Sequence, residues 1–491
     1  MHSPDSIISH LVIGSGPTGY ATALSLLDQG KEVSVLDPNR PLFPSSLGEK
    51  RVSAQKSLFN SHEMYKVSSL SKLEGTIWGI PYSEVRGGLS TTWGAGLQVY
   101  PNKYFENSPC KGVGMQSAYQ RILSEIDHIQ IDDSLETKFP WPTSSRSTVP
   151  PESKLGKLGN QAKDRSKRMQ NILVGHARLA INGTGPRKCR QCLGCLGGCP
   201  YDSIFNSGNE LLRIAEKNTR LQLVNGFAIK INFPSIESQN FEIQIINSSG
   251  EISTLKAVRV YLSLGVIGTP ALLLRSEIIK DLVSIRDSQV FYTAFFSLKK
   301  VNQPNGISLA QLFVVNRSHL EDEFHLSLYS PNPEIGLRIE KRLGEILGFK
   351  LRIPRFIVNR IVAGIGFIEP KHSGVIELEE ISKQIVIRKK KNNKTKKKIF
   401  EIEKIMRKDL RKMGLIHLPY STQIPEVGSG FHSGGGLFEY PSPDSSLLDE
   451  YGRLRSNENL LVTDASSMNF NIAGPHTLTA MAYAYRNAAV K

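Results

Sequence analysis

Residues Ser6 to Asp37 read SIISHLVIGSGPTGYATALSLLDQGKEVSVLD, and this stretch decides the fold. The apolar run from Ser6 to Ile13 predicts a buried strand, and the apolar residues from Tyr20 to Leu27 predict a helix. Gly30 marks a turn, and Glu32 to Leu36 predict a second strand that ends at Asp37. Between the first strand and the helix stands Gly14-Ser-Gly16-Pro-Thr-Gly19, so the glycine motif has the βαβ surroundings that a bare G-x-G-x-x-G lacks. Gly14 serves the tight turn, Gly16 lets a pyrophosphate approach the backbone, and Gly19 lets the helix pack close to the strand. Free amides at the helix N-terminus suit phosphate charge. Asp37 is placed to accept hydrogen bonds from ribose hydroxyls. The motif by itself does not choose between FAD and NAD.

Four of the five cysteines lie in one run, Cys189-Arg-Gln-Cys192-Leu-Gly-Cys195-Leu-Gly-Gly-Cys199, followed by Pro200. Spacings of two, two and three are those of a bacterial-type iron-sulfur ligand run, which points to a 4Fe-4S or 3Fe-4S cluster. The fourth ligand is Cys199, the remote Cys110, or absent; zinc and metal-free packed thiols are the other readings of the run. A disulfide framework is disfavoured, since the N-terminus has no signal peptide and the chain reads as cytoplasmic, where thiols stay reduced.

At 491 residues the chain is long enough for two or three lobes, and no apolar run reaches the length of a membrane span. The net charge of +16 is concentrated in Arg388 to Lys398, RKKKNNKTKKK; without that run the remainder carries +8. A solvated hairpin tip or loop is the plain expectation for it. Nucleic acid is excluded as a partner, because no aromatic residues interleave with the lysines and no binding motif accompanies them. Glu334 to Leu347 has helical apolar spacing, and the mixed basic and apolar segment from Phe349 to Val362 leaves peripheral membrane contact open.

Towards the C-terminus, Gly430-Phe-His432-Ser-Gly-Gly-Gly436 sets a histidine before a glycine loop. A predicted strand over Asn459–Thr463 leads to Asp464-Ala-Ser466, and Gly474-Pro-His476 then precedes a helix that starts at Thr477. Two histidines at glycine-rich turns are placed for proton chemistry.

In this order the motifs resemble those of the glucose-methanol-choline (GMC) oxidoreductases, FAD enzymes that oxidise alcohols. Gly14, Gly16 and Gly19 match the family's dinucleotide fingerprint. Gly87-Gly88-Leu-Ser-Thr91-Thr-Trp93-Gly94-Ala-Gly96 resembles its second FAD loop, and Tyr261 to Leu274, with Gly265, resembles its strand, glycine turn and helix. Val462-Thr-Asp464-Ala-Ser466 resembles its flavin contact, and His432 matches its H-x-x-G histidine. His-Ala-Arg-Leu-Ala from His176 resembles a strand near the family's substrate region.

The resemblance implies FAD held by Gly14, Gly16, Gly19, Asp37, Gly88, Thr91, Trp93, Gly94, Gly265, Asp464 and Thr477. It implies His432 as the base that takes the hydroxyl proton and His476 as its partner on the substrate oxygen, although the register of the Gly474–Thr477 loop departs from the family pattern. The substrate is then an alcohol or sugar hydroxyl, oxidised by hydride transfer to flavin N5. A cluster at Cys189, Cys192, Cys195 and Cys199 would pass electrons singly to a carrier protein or quinone. An oxygen-using oxidase with structural cysteines and a non-catalytic redox protein are the alternatives.

The expected fold is a discontinuous Rossmann-like α/β domain for FAD, built from residues 1–100, 203–285 and 441–491. A cysteine-bearing insertion spans 101–202, and an antiparallel-sheet substrate domain spans 286–440. Alternating β-formers over Gln289–Val315, Phe324–Leu328 and Val375–Arg388 supply that sheet.

Overall fold

The computed structural model describes residues 6–39, 73–75, 80–106, 111–142, 146–165, 169–235, 239–247, 249–301, 305–318, 323–331, 348, 354–438, 446–468 and 472–490. Cys110, the expected helix from Glu334 to Leu347 and the segment 349–353 lie outside these residues.

The first strand, Ile7–Ile13, lies between Ile252–Leu262 and Val33–Asp37, parallel to both. Asn457–Val462 pairs parallel beyond Ile252–Leu262, and Leu221–Asn225 pairs parallel beyond Val33–Asp37. Apolar runs form these strands because both faces of the sheet are covered. Val12, Val33 and Val35 meet the helices Pro17–Asp28 and Thr477–Ala488, while Leu11, Ile13 and Leu36 meet the helix Gly265–Arg275 on the opposite side. The first helix begins three residues earlier than its apolar spacing suggests, because Pro17 fits the first helical position and needs no N–H there. The Gln29 amide donates to the Ala488 carbonyl at 3.0 Å, so the two helices are also tied end to end.

Two further sheets are antiparallel over most of their pairings. One holds Ser433–Gly434, Val283–Asp287, Val375–Ile381 and Gln384–Lys390, with Leu73–Gly75 parallel at its edge. The other has six strands in the order Leu415–His417, Val290–Ser297, Ile361–Ile368, Phe324–Tyr329, Leu312–Asn316 and Ile172–His176. The chain crosses from one sheet to the other at Ser288, whose hydroxyl donates to the Ile368 carbonyl at 2.8 Å. The outer face of the six-stranded sheet is closed by the helix Thr395–Leu410, whose Ile399, Ile402, Met406 and Leu410 pack on Phe291, Phe295, Leu326 and Val362.

Segment 101–202 supplies the edge strand Ile172–His176 and anchors it with buried charge. The Arg178 guanidinium meets Asp133 at 3.1 Å and Glu136 at 2.9 Å. Lys138 meets Glu323 at 2.9 Å and donates to the Asn316 and Ser318 carbonyls. Buried ions in such numbers are tolerated only when paired and hydrogen-bonded, as these are.

The basic run is not a loop. Its first residues end the strand Gln384–Lys390 and its last ones open the helix Thr395–Leu410, with a turn at Asn392 between them. Buried Ile385 and Ile387 draw the strand onward, and buried Ile399 and Ile402 fix the helix, so most of the basic residues lie on the outward faces of regular elements, while the Lys389 side chain shares the inner face of its strand and is only 8% exposed. Among the described residues no helix is long and apolar enough to cross a membrane.

Candidate active site

The glycine motif has three different surroundings, one for each glycine. Gly14 has a φ of 109°, and a Cβ there would lie 2.5 Å from the Ser263 carbonyl oxygen. A Cβ on Gly19 would lie 1.9 Å from the Gly14 oxygen, so the helix can approach the strand only without a side chain. The Cβ direction of Gly16 is empty to 4 Å, and so are those of Gly94 and Gly265. An open space between glycine backbones at a helix N-terminus is what a pyrophosphate requires. The helix N-terminus has no side-chain cap that would compete for its amides.

The second loop closes against the first. Gly87 N–H donates to the Ser15 hydroxyl at 2.8 Å, Ser207 Oγ donates to the Ser15 carbonyl at 2.8 Å, and a Cβ on Gly88 would reach the Gly16 Cα at 3.5 Å. Thr91 donates to the Gly88 carbonyl at 2.8 Å, and the Trp93 indole donates to the Phe205 carbonyl at 3.0 Å. Asp37 is buried at the end of the second strand, where it accepts from the Ser15 hydroxyl and from Asn39 N–H at 2.6 Å. Burial pushes its pKa up, and these two donors oppose the shift. Two of the carboxylate's acceptor positions are thereby used, and others remain for a ribose.

Asp464 is tied to its own protein. One oxygen accepts from Gly265 N–H at 2.9 Å and from the Thr269 hydroxyl; the other accepts from the N–H and hydroxyl of Ser466. What this position presents to a ligand is its backbone, together with the turn it locks at Gly265.

His432 and His476 come together. Their rings meet edge to face with centroids 5.2 Å apart, although 44 residues separate them in the chain. His432 packs on Phe367 at 4.1 Å, and Phe367 stands opposite His325 on the neighbouring strand. His325 is thus a third imidazole beside the pair. Burial holds His476 down to about 4 and His325 down to about 3. His432 is held well below its ordinary value, by burial first and then by His476 and His325. All three are neutral at pH 7. His432 is the most open of the three, while His476 and His325 are buried behind it. A Cβ on Gly474 would lie 2.7 Å from the Tyr100 hydroxyl and 3.1 Å from His325 Nδ1, so glycine lets the loop carrying His476 sit against both.

The backbone that carries His432 is fixed by Asp287 and Ser288. The Asp287 carboxylate accepts from Gly428 N–H at 2.8 Å and from the Ser433 hydroxyl at 3.1 Å, and Ser288 N–H donates to the His432 carbonyl at 2.9 Å. Burial pushes Asp287 up to about 6. Thr477 begins the terminal helix directly after His476, so its first-turn amides face the same region.

The cysteine run forms a loop pinned at its ends and middle. Asn182 N–H donates to the Ser203 carbonyl at 2.7 Å, Cys189 N–H to the Asn182 carbonyl at 2.9 Å, and Cys195 N–H to the Ser308 hydroxyl at 3.0 Å. The four cysteines are free. Among the described residues no three His, Cys, Asp or Glu side chains are grouped so as to hold a metal ion, so the expected ligand set is not assembled here. Burial instead favours the protonated thiol, pushing Cys195 up to about 12 and raising Cys189. A cluster at this run finds no support in the arrangement of the described thiols.

His325, Phe367 and Asp287 were not singled out in the sequence. The signal for each is distributed, because His325 and Phe367 acquire meaning only through strand pairing, and Asp287 only through the loop that folds over it.

No protein-family profile matches this sequence, and no curated protein matches it. Among solved structures, the crystal structure of pyridoxine 4-oxidase from Mesorbium loti is similar over 98% of both chains, with a TM-score of 0.65 and 13% identity. From end to end, this chain has the same fold as pyridoxine 4-oxidase.

Proposed function

We propose that this chain is an FAD-dependent oxidoreductase of the GMC type that oxidises the CH–OH group of a small alcohol or sugar to a carbonyl. The observation that carries this reading is the meeting of neutral His432 and His476 beside a glycine cradle fit for a dinucleotide. FAD, when bound, supplies the hydride acceptor. Gly14, Gly16 and Gly19 would hold its pyrophosphate and Asp37 its ribose, while Gly88, Thr91, Trp93, Gly94 and Gly265 would line it.

The chain's own part in the reaction is proton handling. His432, neutral and the most open of the imidazoles, takes the hydroxyl proton as the carbon loses hydride. His476 holds the same oxygen by a hydrogen bond, and burial keeps the imidazoles beside it neutral. The first-turn amides after Thr477 favour negative charge that develops nearby. Apolar Phe367 limits water around the His432 ring.

The oxidase alternative for electron exit asks nothing of the cysteine run: dioxygen takes both electrons and leaves as hydrogen peroxide. The neighbour of the same fold is named an oxidase. A relay through the cysteines to a carrier or quinone makes the opposite demand, namely iron and sulfide in stoichiometric amount. The deciding experiment is anaerobic mixing of the flavin-loaded protein with a panel of alcohols and sugars. Bleaching of the oxidised flavin band by at least one, followed by peroxide release on admitting air, is expected. No bleaching by any of them removes the reading.

A further inference from the structure

The inner face of the six-stranded sheet, opposite the face covered by Thr395–Leu410, runs from the histidines to the molecular surface. Strand pairing fixes which side chains share it, because paired residues and every second residue point the same way. Phe367, against His432, begins the row. Ile365 and Tyr292 are paired in the next row, Phe296 and Ile416 pair further out, and Leu298 lies beyond them against Gly414.

This face differs from a solvated sheet face, which would alternate to polar residues. It is apolar yet only partly covered: Tyr292 is 38% exposed, Ile416 39% and Leu298 59%. The distance from Phe367 to Ile361, which pairs with Phe296, is six residues of strand, or about 20 Å. An apolar strip that is buried at Phe367 and Ile361, opens at Tyr292, Ile416 and Leu298, and ends at a catalytic group suits an apolar ligand.

The rim has its own chemistry. Residues 289–301, 354–368 and 411–425 contain no acidic residue. They meet at the rim: Leu298 N–H donates to the Gly414 carbonyl at 2.9 Å, and the Arg360 guanidinium donates to the Leu298 carbonyl. Lys299, Lys300, Arg355 and Arg411 are exposed there and form no ion pair among the described residues. Phe356 stands among them, 70% exposed on a one-turn helix. Apolar tips ringed by unpaired cations complement a bilayer with anionic headgroups.

We propose that the substrate is an alcohol with a long apolar tail, that the tail lies along this strip with its hydroxyl at His432, and that the rim receives it from an anionic bilayer surface. The substrate class rests on the alcohol-oxidising reading above; the binding of an apolar chain does not. The holoenzyme is assayed with straight-chain primary alcohols of increasing length, and the same series is used in thermal-shift binding.

Both kcat/KM and the thermal shift are expected to climb with length, kcat/KM by about fourfold per methylene among the shorter members. Ile365→Asp and Phe296→Asp are expected to flatten both series, with circular dichroism checking that each variant folds. Oxidation that is flat with length overturns the strip. Thermal shifts that climb while no alcohol reduces the flavin leave the strip standing and remove the alcohol-oxidising reading. For the rim, co-sedimentation with phosphatidylglycerol vesicles is expected to fall more than about tenfold in Phe356→Ser/Leu298→Ser. It should persist in Lys396→Gln/Lys397→Gln, which dilutes the basic run elsewhere. Equal loss in both variants, or equal binding to phosphatidylcholine, reduces the contact to unspecific charge and overturns the rim.

Discussion

A neutral imidazole in a crowded pocket is a weak acid sink, and this sets what His432 can do. Its depressed pKa means that it is ready to accept a proton from pH 7 down to well below the ordinary histidine value of about 6.5. The kcat/KM profile is therefore expected to stay level through pH 6 and to fall only at more acidic pH. His432→Gln should lower kcat by about 10²- to 10⁴-fold and remove that acid limb, as read by stopped-flow flavin reduction. The cysteines make the opposite expectation, one of inertness. With Cys195 buried and pushed up to about 12, iodoacetamide should label it far more slowly at pH 8 than in urea, as counted by mass spectrometry of the peptide. Rapid labelling of the native protein would mean that the loop from Asn182 to Ser203 opens readily.

At the scale of elements, the strand Val283–Asp287 and the loop from Gly428 to Ser433 are held together by one buried carboxylate. Asp287 has a folded pKa of about 6, above the ordinary 3.8, so its burial is cheapest when it is protonated. The contribution is most favourable below pH 4 and is lost as pH rises through 6. Relative to Asp287→Asn, the wild type should therefore gain thermal stability between pH 7 and pH 5; a constant difference in Tm would show that the carboxylate does not titrate there.

The elements also show what can be read from a sequence. The βαβ unit was legible because each of its parts is local: a strand, three glycines, a helix and an acidic strand end within about thirty residues. His432 and His476 were legible as candidates through their glycine turns. Their contact was not, since it depends on a strand pairing at Ser433 and a loop seated on Tyr100. The basic run was read from its charges alone, whereas Ile385, Ile387, Ile399 and Ile402 set its structure from the other face. The cysteine spacing is a local signal too, but spacing does not fix where thiols point.

Across the whole molecule, the cofactor cradle is assembled from distant parts of the chain. Gly14 packs on Ser263, Ser15 binds Gly87 and Ser207, and Gly265 is locked by Asp464. A ligand that bridges such segments stabilises the folded state by mass action. FAD at a hundredfold excess over its Kd should raise stability by about 2.7 kcal/mol, seen as a higher Tm, and Gly16→Val should abolish the increase. No change in the wild type would count against the cradle.

The same assembly has a temporal consequence. The parallel sheet needs Asn457–Val462 alongside Ile252–Leu262, and the first helix needs Thr477–Ala488 beside it. During synthesis, Ile7–Ile13 is made more than about four hundred residues before Asn457–Val462 and Thr477–Ala488, the elements that close the nucleotide fold. Until then, the apolar faces of Val12 and Leu24 lack their cover and are open to misassembly.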